Sequence, residues 1–200
     1  MAEQSSLIFI SGGVRSGKSQ FAEKLAVDLS ELTREHGTSD SPYQLHYIAA
    51  GQASDEEMKT RIFRHQTDRQ LSGLNWKTWE QPIRLTELSD VFGEDDVVLL
   101  DCLTTLLNNE FFKEENLWKN IRFQEQIMAE ILEAIEKITN SCRALIVVSN
   151  EVFYDTSGGG QELIYTYKKI LGKLHQNVVA RARTAYLVES GIPLLMKGGE

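Results

Sequence analysis

Gly12-Gly13-Val14-Arg15-Ser16-Gly17-Lys18-Ser19 is the segment of this 200-residue chain with the most chemistry in it. Its spacing is G-x-x-x-x-G-K-[ST], with an apolar stretch before it and a helical pattern after it. Glycines let the main chain wrap closely around phosphate oxygens, and successive N–H groups form an anion nest. A helix beginning near Lys18 adds its positive N-terminal end. The pattern places Lys18 to reach the β- and γ-phosphates of a nucleotide and the Ser19 hydroxyl to ligate Mg²⁺. Without the Lys and Ser in register, the same glycines would read as a plain strand–helix turn.

Asp101 closes the apolar run Val97-Val98-Leu99-Leu100. A carboxylate ending a buried parallel strand sits where ligands bind, and it suits the acidic partner that holds Mg²⁺ beside Ser19. The competing reading is a helix N-cap, since Thr104 and Thr105 follow. His65 is the third candidate. On a charged helix a lone histidine is ordinarily a solvated residue, but Arg61, Arg64 and Arg69 surround this one in an otherwise acidic chain. Such a cluster could hold phosphates near an imidazole nucleophile and would push that imidazole toward its neutral, attacking form. His36 and His46 have no such neighbours, and His175 lies in a late helical stretch with no assigned role.

The elements that must position these residues follow from periodicity. Residues 7–10, 45–50, 97–101 and 144–148 read as buried strands, and 76–79 as a short alternating one. Helical spacing covers residues 19–32, 118–138 and 161–183, with a charged helix over 55–70 and a short one over 83–91. Residues 35–42 and 157–160 read as loops, and 185–188 with 193–196 as a terminal hairpin. Strands alternating with helices predict an α/β fold, a mainly parallel sheet covered by helices on both faces, and one domain over residues 1–200.

The 21 basic and 29 acidic residues give a net charge of −8, and aromatics are not interleaved with basic residues, which argues against nucleic-acid binding. No apolar run approaches the roughly 20 residues of a membrane span. The first residues lack a secretion-signal pattern. Two cysteines, Cys102 and Cys142, in apolar surroundings read as buried thiols in a reducing compartment. The expected location is the cytoplasm.

In the form it takes here, the Gly12–Ser19 loop followed by Phe21-Ala22-Glu23 resembles the bifunctional adenosylcobinamide kinase / adenosylcobinamide-phosphate guanylyltransferase family of cobalamin biosynthesis. The similarity continues through Tyr47-Ile48-Ala49-Ala50-Gly51-Gln52, Asp55-Glu56-Glu57-Met58, and Arg61-Ile62 with His65 and Arg69. Trp76, Thr78 and Glu80, then residues 99–105 and Asn150-Glu151-Val152, extend it over most of residues 7–152. The resemblance implies a RecA-like P-loop NTPase domain, a homotrimer, and a two-step reaction. A nucleoside triphosphate, GTP or ATP, phosphorylates the aminopropanol hydroxyl of adenosylcobinamide. GTP then donates GMP to that phosphate through a guanylylated histidine, releasing pyrophosphate.

Carried over motif by motif, the resemblance puts His65 on the histidine that bears GMP and Gly12, Gly13, Val14, Arg15, Ser16, Gly17, Lys18 and Ser19 on the phosphate loop. Ala49, Ala50, Gly51, Gln66, Thr67, Asp68, Arg69, Glu80 and Asp101 fall on nucleotide or metal contacts. After Val152 the chain departs from the family pattern: residues 153–160 replace a Gly-Ile-Val-Pro segment, Tyr167-Lys168-Lys169 replaces Phe-Arg-Asp, and His175-Gln176 replaces Asn-Gln. That region is expected to shape the corrinoid site or subunit contacts, so the departures bear on the kinase step more than on nucleotide binding. Two other classes fit the phosphate loop alone: a different small-molecule P-loop kinase, and a non-catalytic GTP-binding regulatory protein.

Overall fold

A computed structural model describes residues 6–36, 44–51, 67, 69, 73–114, 117–151 and 161–198. Seven strands form one sheet: β1 (Ser6–Gly12), β2 (Leu45–Ala49), β3 (Trp76–Glu80), β4 (Val97–Asp101), β5 (Ala144–Asn150), β6 (Thr184–Glu189) and β7 (Ile192–Lys197). Their order is β3-β2-β4-β5-β1-β6-β7. Every neighbouring pair is parallel except the β6–β7 hairpin. The described helices are α1 (Lys18–His36), α2 (Leu103–Phe111), α3 (Ile121–Ser141) and α4 (Gln161–Arg181).

The central strands are apolar at every position because both faces are covered. Leu7, Phe9, Val98, Leu100, Leu145 and Val147 point to one face and pack with α2, α3 and α4. Ile8, Ile10, Val97, Leu99, Ile146 and Val148 point to the other and pack with α1. On α1 Ala22, Ala26 and Ser30, each one turn apart, are fully buried. Their small side chains bring the helix axis close to the sheet, and so set where its N-terminus sits.

Several sequence expectations shift. The helix expected over 83–91 is a single 3-10 turn, Leu85–Leu88. Its two buried leucines are three apart, which suits the tighter helix, and Arg84 enters it with a left-handed φ of 52°. A helix that periodicity had not assigned, α2, buries Leu103, Leu106, Leu107 and Phe111. Cys102 occupies its N-cap, so Asp101 belongs to the strand and does not cap the helix. The long helix begins later than expected, at Ile121, where Asn120 caps the N–H groups of Arg122 and Phe123. Ile121 itself is 67% exposed and does not join the buried stripe formed by Ile127, Ile131, Ala134, Ile135 and Ile138. The helix expected over 55–70 lies outside the described residues apart from Thr67 and Arg69, both helical.

A polar seam docks α4 and α2 onto the end of β5. The Thr104 hydroxyl lies 2.7 Å from the Ser149 hydroxyl and accepts the Asn150 N–H at 2.8 Å. Ser149 Oγ lies 2.8 Å from His175 Nε2, and the Tyr167 hydroxyl donates to the Thr104 carbonyl at 2.9 Å. The His175 ring also packs on Phe9. Burial lowers the His175 pKa to about 4 and raises that of Tyr167 well above its ordinary value. His175 is therefore a neutral packing residue at pH 7.

Two outcomes test this packing. Ala26→Leu inserts volume where α1 meets the sheet and should destabilise the fold by about 1–3 kcal/mol in urea unfolding. His175 in the folded protein titrates well below its unfolded value near 6.5, so its stabilising contribution is complete above that pH and is lost as pH falls toward about 4. Comparing wild type with His175→Gln at pH 7 and pH 4.5, the wild type should lose about 2–3 kcal/mol relative to the variant. An unchanged difference would mean that His175 titrates normally.

Candidate functional site

The C-terminal ends of the parallel strands line up along one edge. Ala49 is the register partner of both Glu80 and Asp101, and Gly12 that of Asn150. The sequence-predicted residues Gly12–Ser19, Ala49, Ala50, Gly51, Glu80 and Asp101 therefore meet on this edge, where ligands bind in open α/β sheets. Thr67 is half-buried and Arg69 buried. His65, Gln66 and Asp68 lie outside the described residues.

The phosphate loop turns out of β1 and into α1. Ser16 N–H closes the turn on the Gly13 carbonyl at 3.2 Å, and Phe21 N–H bonds the Gly17 carbonyl at 3.0 Å. Arg15 takes a φ of 61° and Gly17 a φ of 92°. A side chain at Gly12 would lie 2.5 Å from the Val188 carbonyl oxygen, whereas one at Gly13 would meet open space. Val14 and Arg15 are exposed at the tip. Lys18 is only 5% exposed, and its ammonium donates to the Gly13 carbonyl at 2.9 Å across the mouth of the loop. The Ser16 hydroxyl oxygen is buried with no hydrogen-bond partner among the described residues. An unsatisfied buried hydroxyl in a nest of N–H groups is what an incoming phosphate oxygen would satisfy.

The sequence reading did not anticipate the buttress of this loop. Ser190 and Gly191, with φ of 51° and 81°, make the two-residue turn of the β6–β7 hairpin. The Gly191 N–H donates to the Ser16 carbonyl at 2.8 Å, and a Cβ on Gly17 would come within 3.2 Å of Gly191 Cα. A glycine in the hairpin thus faces a glycine in the loop, and their main chains touch.

Across the edge, Asp101 accepts the Tyr47 hydroxyl on Oδ2 at 3.0 Å. Burial, then the neighbouring carboxylate, pushes the Tyr47 pKa well above its ordinary value, so the phenol keeps its proton and donates. The Arg69 guanidinium lies over the Tyr47 ring, 3.7 Å from its centroid, and pairs with Glu23 of α1 at 2.9 Å. Ala50 N–H donates to the Asp101 carbonyl, and Asn109 of α2 clamps the Ala50 and Pro82 carbonyls at 2.9 Å each. Glu80 is exposed at the end of β3. Tyr47, Glu23 and Asn109 are the residues the sequence reading left without a role. Nothing in local spacing marks them, because each finds its partner on another element.

Ser19 and Asp101 are the residues that could hold a divalent cation. Hydroxyl and carboxylate oxygens are hard donors of the kind Mg²⁺ takes. Among the described residues no three His, Cys, Asp or Glu side chains cluster as a metal cage.

Comparison with solved structures shows the fold. The flagellar accessory protein FlaH from Methanocaldococcus jannaschii superposes with a TM-score of 0.51 at 14% identity, over 98% of this chain and 80% of that one. An ATP synthase subunit, NeqB from Nanoarcheaum equitans, gives 0.57 at 11% identity over 92% and 47%. The architecture is that of a RecA-like P-loop domain. Closer relatives come from sequence. Bifunctional adenosylcobalamin biosynthesis protein CobU of Escherichia coli is 33% identical over 202 residues, covering 96% of this chain and 99% of that protein. Its Salmonella typhimurium counterpart is 31% identical over 96% and 99%, and CobP of Pseudomonas aeruginosa 30% identical over 94% and 96%. A family model described as cobinamide kinase / cobinamide phosphate guanyltransferase matches residues 8–196, and with these relatives it shows that the chain belongs to that family.

Proposed function

We propose that this chain is a bifunctional transferase in which a single phosphate cradle serves two reactions of cobalamin biosynthesis. In the first, a nucleoside triphosphate phosphorylates the hydroxyl of adenosylcobinamide. In the second, GMP passes from GTP to adenosylcobinamide phosphate, giving adenosylcobinamide-GDP and pyrophosphate. The observation that carries the reading is the Gly12–Ser19 loop, with its buried Lys18 and its unsatisfied Ser16 hydroxyl, opening on the edge that presents Asp101.

In the kinase step the corrinoid hydroxyl attacks the γ-phosphorus, and the nucleoside diphosphate leaves. This chemistry needs positioning and charge neutralisation more than covalent help. The Lys18 ammonium exchanges its Gly13 carbonyl for phosphate oxygens, while the loop N–H groups hold the remaining charge. Ser19 and Asp101 would hold Mg²⁺, which would supply further neutralisation of the triphosphate. In the guanylyl step His65 attacks the α-phosphorus as neutral imidazole and pyrophosphate leaves. The corrinoid phosphate then attacks that phosphorus, and the imidazole is released. The intermediate divides one transfer into two in-line displacements.

One sheet positions the phosphate loop, Ala49, Glu80 and Asp101, which supports reading residues 1–200 as a single catalytic domain. Both cysteines are free and buried, in keeping with a reducing cytoplasmic setting. No helix among the described residues is long and apolar enough to cross a membrane. The edge strand β7 presents Ile192, Leu195 and Met196 at 62%, 51% and 65% exposure. An apolar edge strand is a template for pairing, which supports assembly of copies of the chain through β7; that the assembly is a homotrimer is what the family resemblance implies.

Incubation with α-labelled GTP and Mg²⁺ should label the protein through an acid-labile bond. His65→Asn should abolish the labelling, and Lys18→Ala should weaken GTP binding and both half-reactions. Another kinase, or a non-catalytic GTP-binding protein, would give no adduct. In light scattering the wild type should run as a trimer at micromolar concentration, and Leu195→Glu with Met196→Glu should shift it toward monomer. A monomeric wild type would refute assembly through β7.

A further inference from the structure

Asp101 does not stand alone at the end of β4. Its Oδ2 accepts the Tyr47 hydroxyl at 3.0 Å. Two neighbours hold the Tyr47 ring: the Arg69 guanidinium lies 3.7 Å from its centroid, and Trp76 meets it in an edge contact at 6.5 Å. Arg69 is itself 6% exposed. A buried guanidinium is tolerated only where a carboxylate and further polar contacts hold it, and Glu23 Oε1 lies 2.9 Å from its Nη1. Glu23 is on α1, little more than one turn beyond Lys18. An unbroken run of contacts, Glu23 to Arg69 to Tyr47 to Asp101, therefore ties the helix that carries the phosphate-binding lysine to the strand that carries the acid. Every link has restricted freedom: a planar fork on a carboxylate, a stacked ring, and a phenol that turns only about its C–O bond.

We propose that Tyr47, held by Arg69 and Glu23, is a positioning residue that orients the Asp101 carboxylate toward the divalent cation entering with the nucleotide. This rests on the reading of Asp101 as the metal-side acid. The run of contacts fixes the distance between the acid and the phosphate loop, so that cation and triphosphate are gripped in one geometry. It also gives Arg69 an indirect role, in which the guanidinium acts on Asp101 through Tyr47.

The test is binding, read without turnover. The affinity of a fluorescent, non-hydrolysable GTP analogue is measured in EDTA and in saturating Mg²⁺, and the ratio of the two reports the cation's grip. Asp101→Asn should bring the ratio near one. Tyr47→Phe, which keeps the ring, should leave the EDTA affinity unchanged and raise the Mg²⁺ concentration at half-effect on the order of tenfold, as outer-sphere partners of metal ligands do. Arg69→Lys and Glu23→Gln should shift it in the same direction by less, and they carry the test if Tyr47→Phe fails to fold. If Asp101→Asn loses the Mg²⁺ effect while Tyr47→Phe matches wild type, the positioning role is wrong and the metal-side acid stands. If Asp101→Asn keeps the full effect, or wild type shows none, both readings fall. If Arg69→Lys weakens binding equally in EDTA, Arg69 touches the nucleotide directly and the indirect role is overturned.

Discussion

A lysine ammonium buried at the junction of β1 and α1 is the constraint on which the rest of this molecule depends. A cation removed from water is costly unless oxygen dipoles or anions converge on it. Here the Gly13 carbonyl accepts a hydrogen bond from it. That arrangement requires a main chain able to fold back on itself at Gly12, Arg15 and Gly17, and a helix seated close enough to the sheet to hold the lysine there. Ala22 and Ala26 meet the second requirement by being small. The fold brings a positive helix end, a nest of N–H groups and a lysine to one point in a chain whose net charge is −8. Local convergence outweighs global charge at this distance because unscreened interactions between exposed charges reach only about 10 Å in salt.

Two side-chain systems flank that point and do different jobs. The Glu23–Arg69–Tyr47–Asp101 run is charged and ends on Asp101, the carboxylate proposed to meet the cation. The Thr104–Ser149–His175–Tyr167 seam carries no charge at pH 7 and lies behind the strand ends, where it joins α2 and α4 to β5. The seam uses Tyr167 and His175, two half-buried residues of α4 that pack behind the strand ends and away from the phosphate loop.

What could be read from sequence follows the range of the interaction. The phosphate loop was legible because eight consecutive residues contain its whole chemistry. Asp101 was legible because a carboxylate placed directly after four buried apolar residues needs a cation, a ligand or a strong donor beside it. The buried thiols, the parallel sheet and the terminal hairpin were legible from composition and period. Helix α2 was present as Leu103, Leu106, Leu107 and Phe111, but its spacing is masked by the motif that runs into it. The tyrosine on Asp101, the Glu23–Arg69 pair and the asparagine clamp at Asn109 were not legible at all. Each depends on β2 lying beside β4, or on which face of the sheet a helix covers, and periodicity along one strand says nothing about its neighbour.

The hydrogen bond from Gly191 to Ser16 joins residues far apart in chain order. On the ribosome the loop emerges long before the turn that braces it. A nascent chain therefore carries the nucleotide-binding motif without its brace, and the finished cradle forms only once β6 has docked beside β1 and the hairpin has closed. A protease that trimmed the hairpin would have the reverse effect, unbracing a loop it never touches.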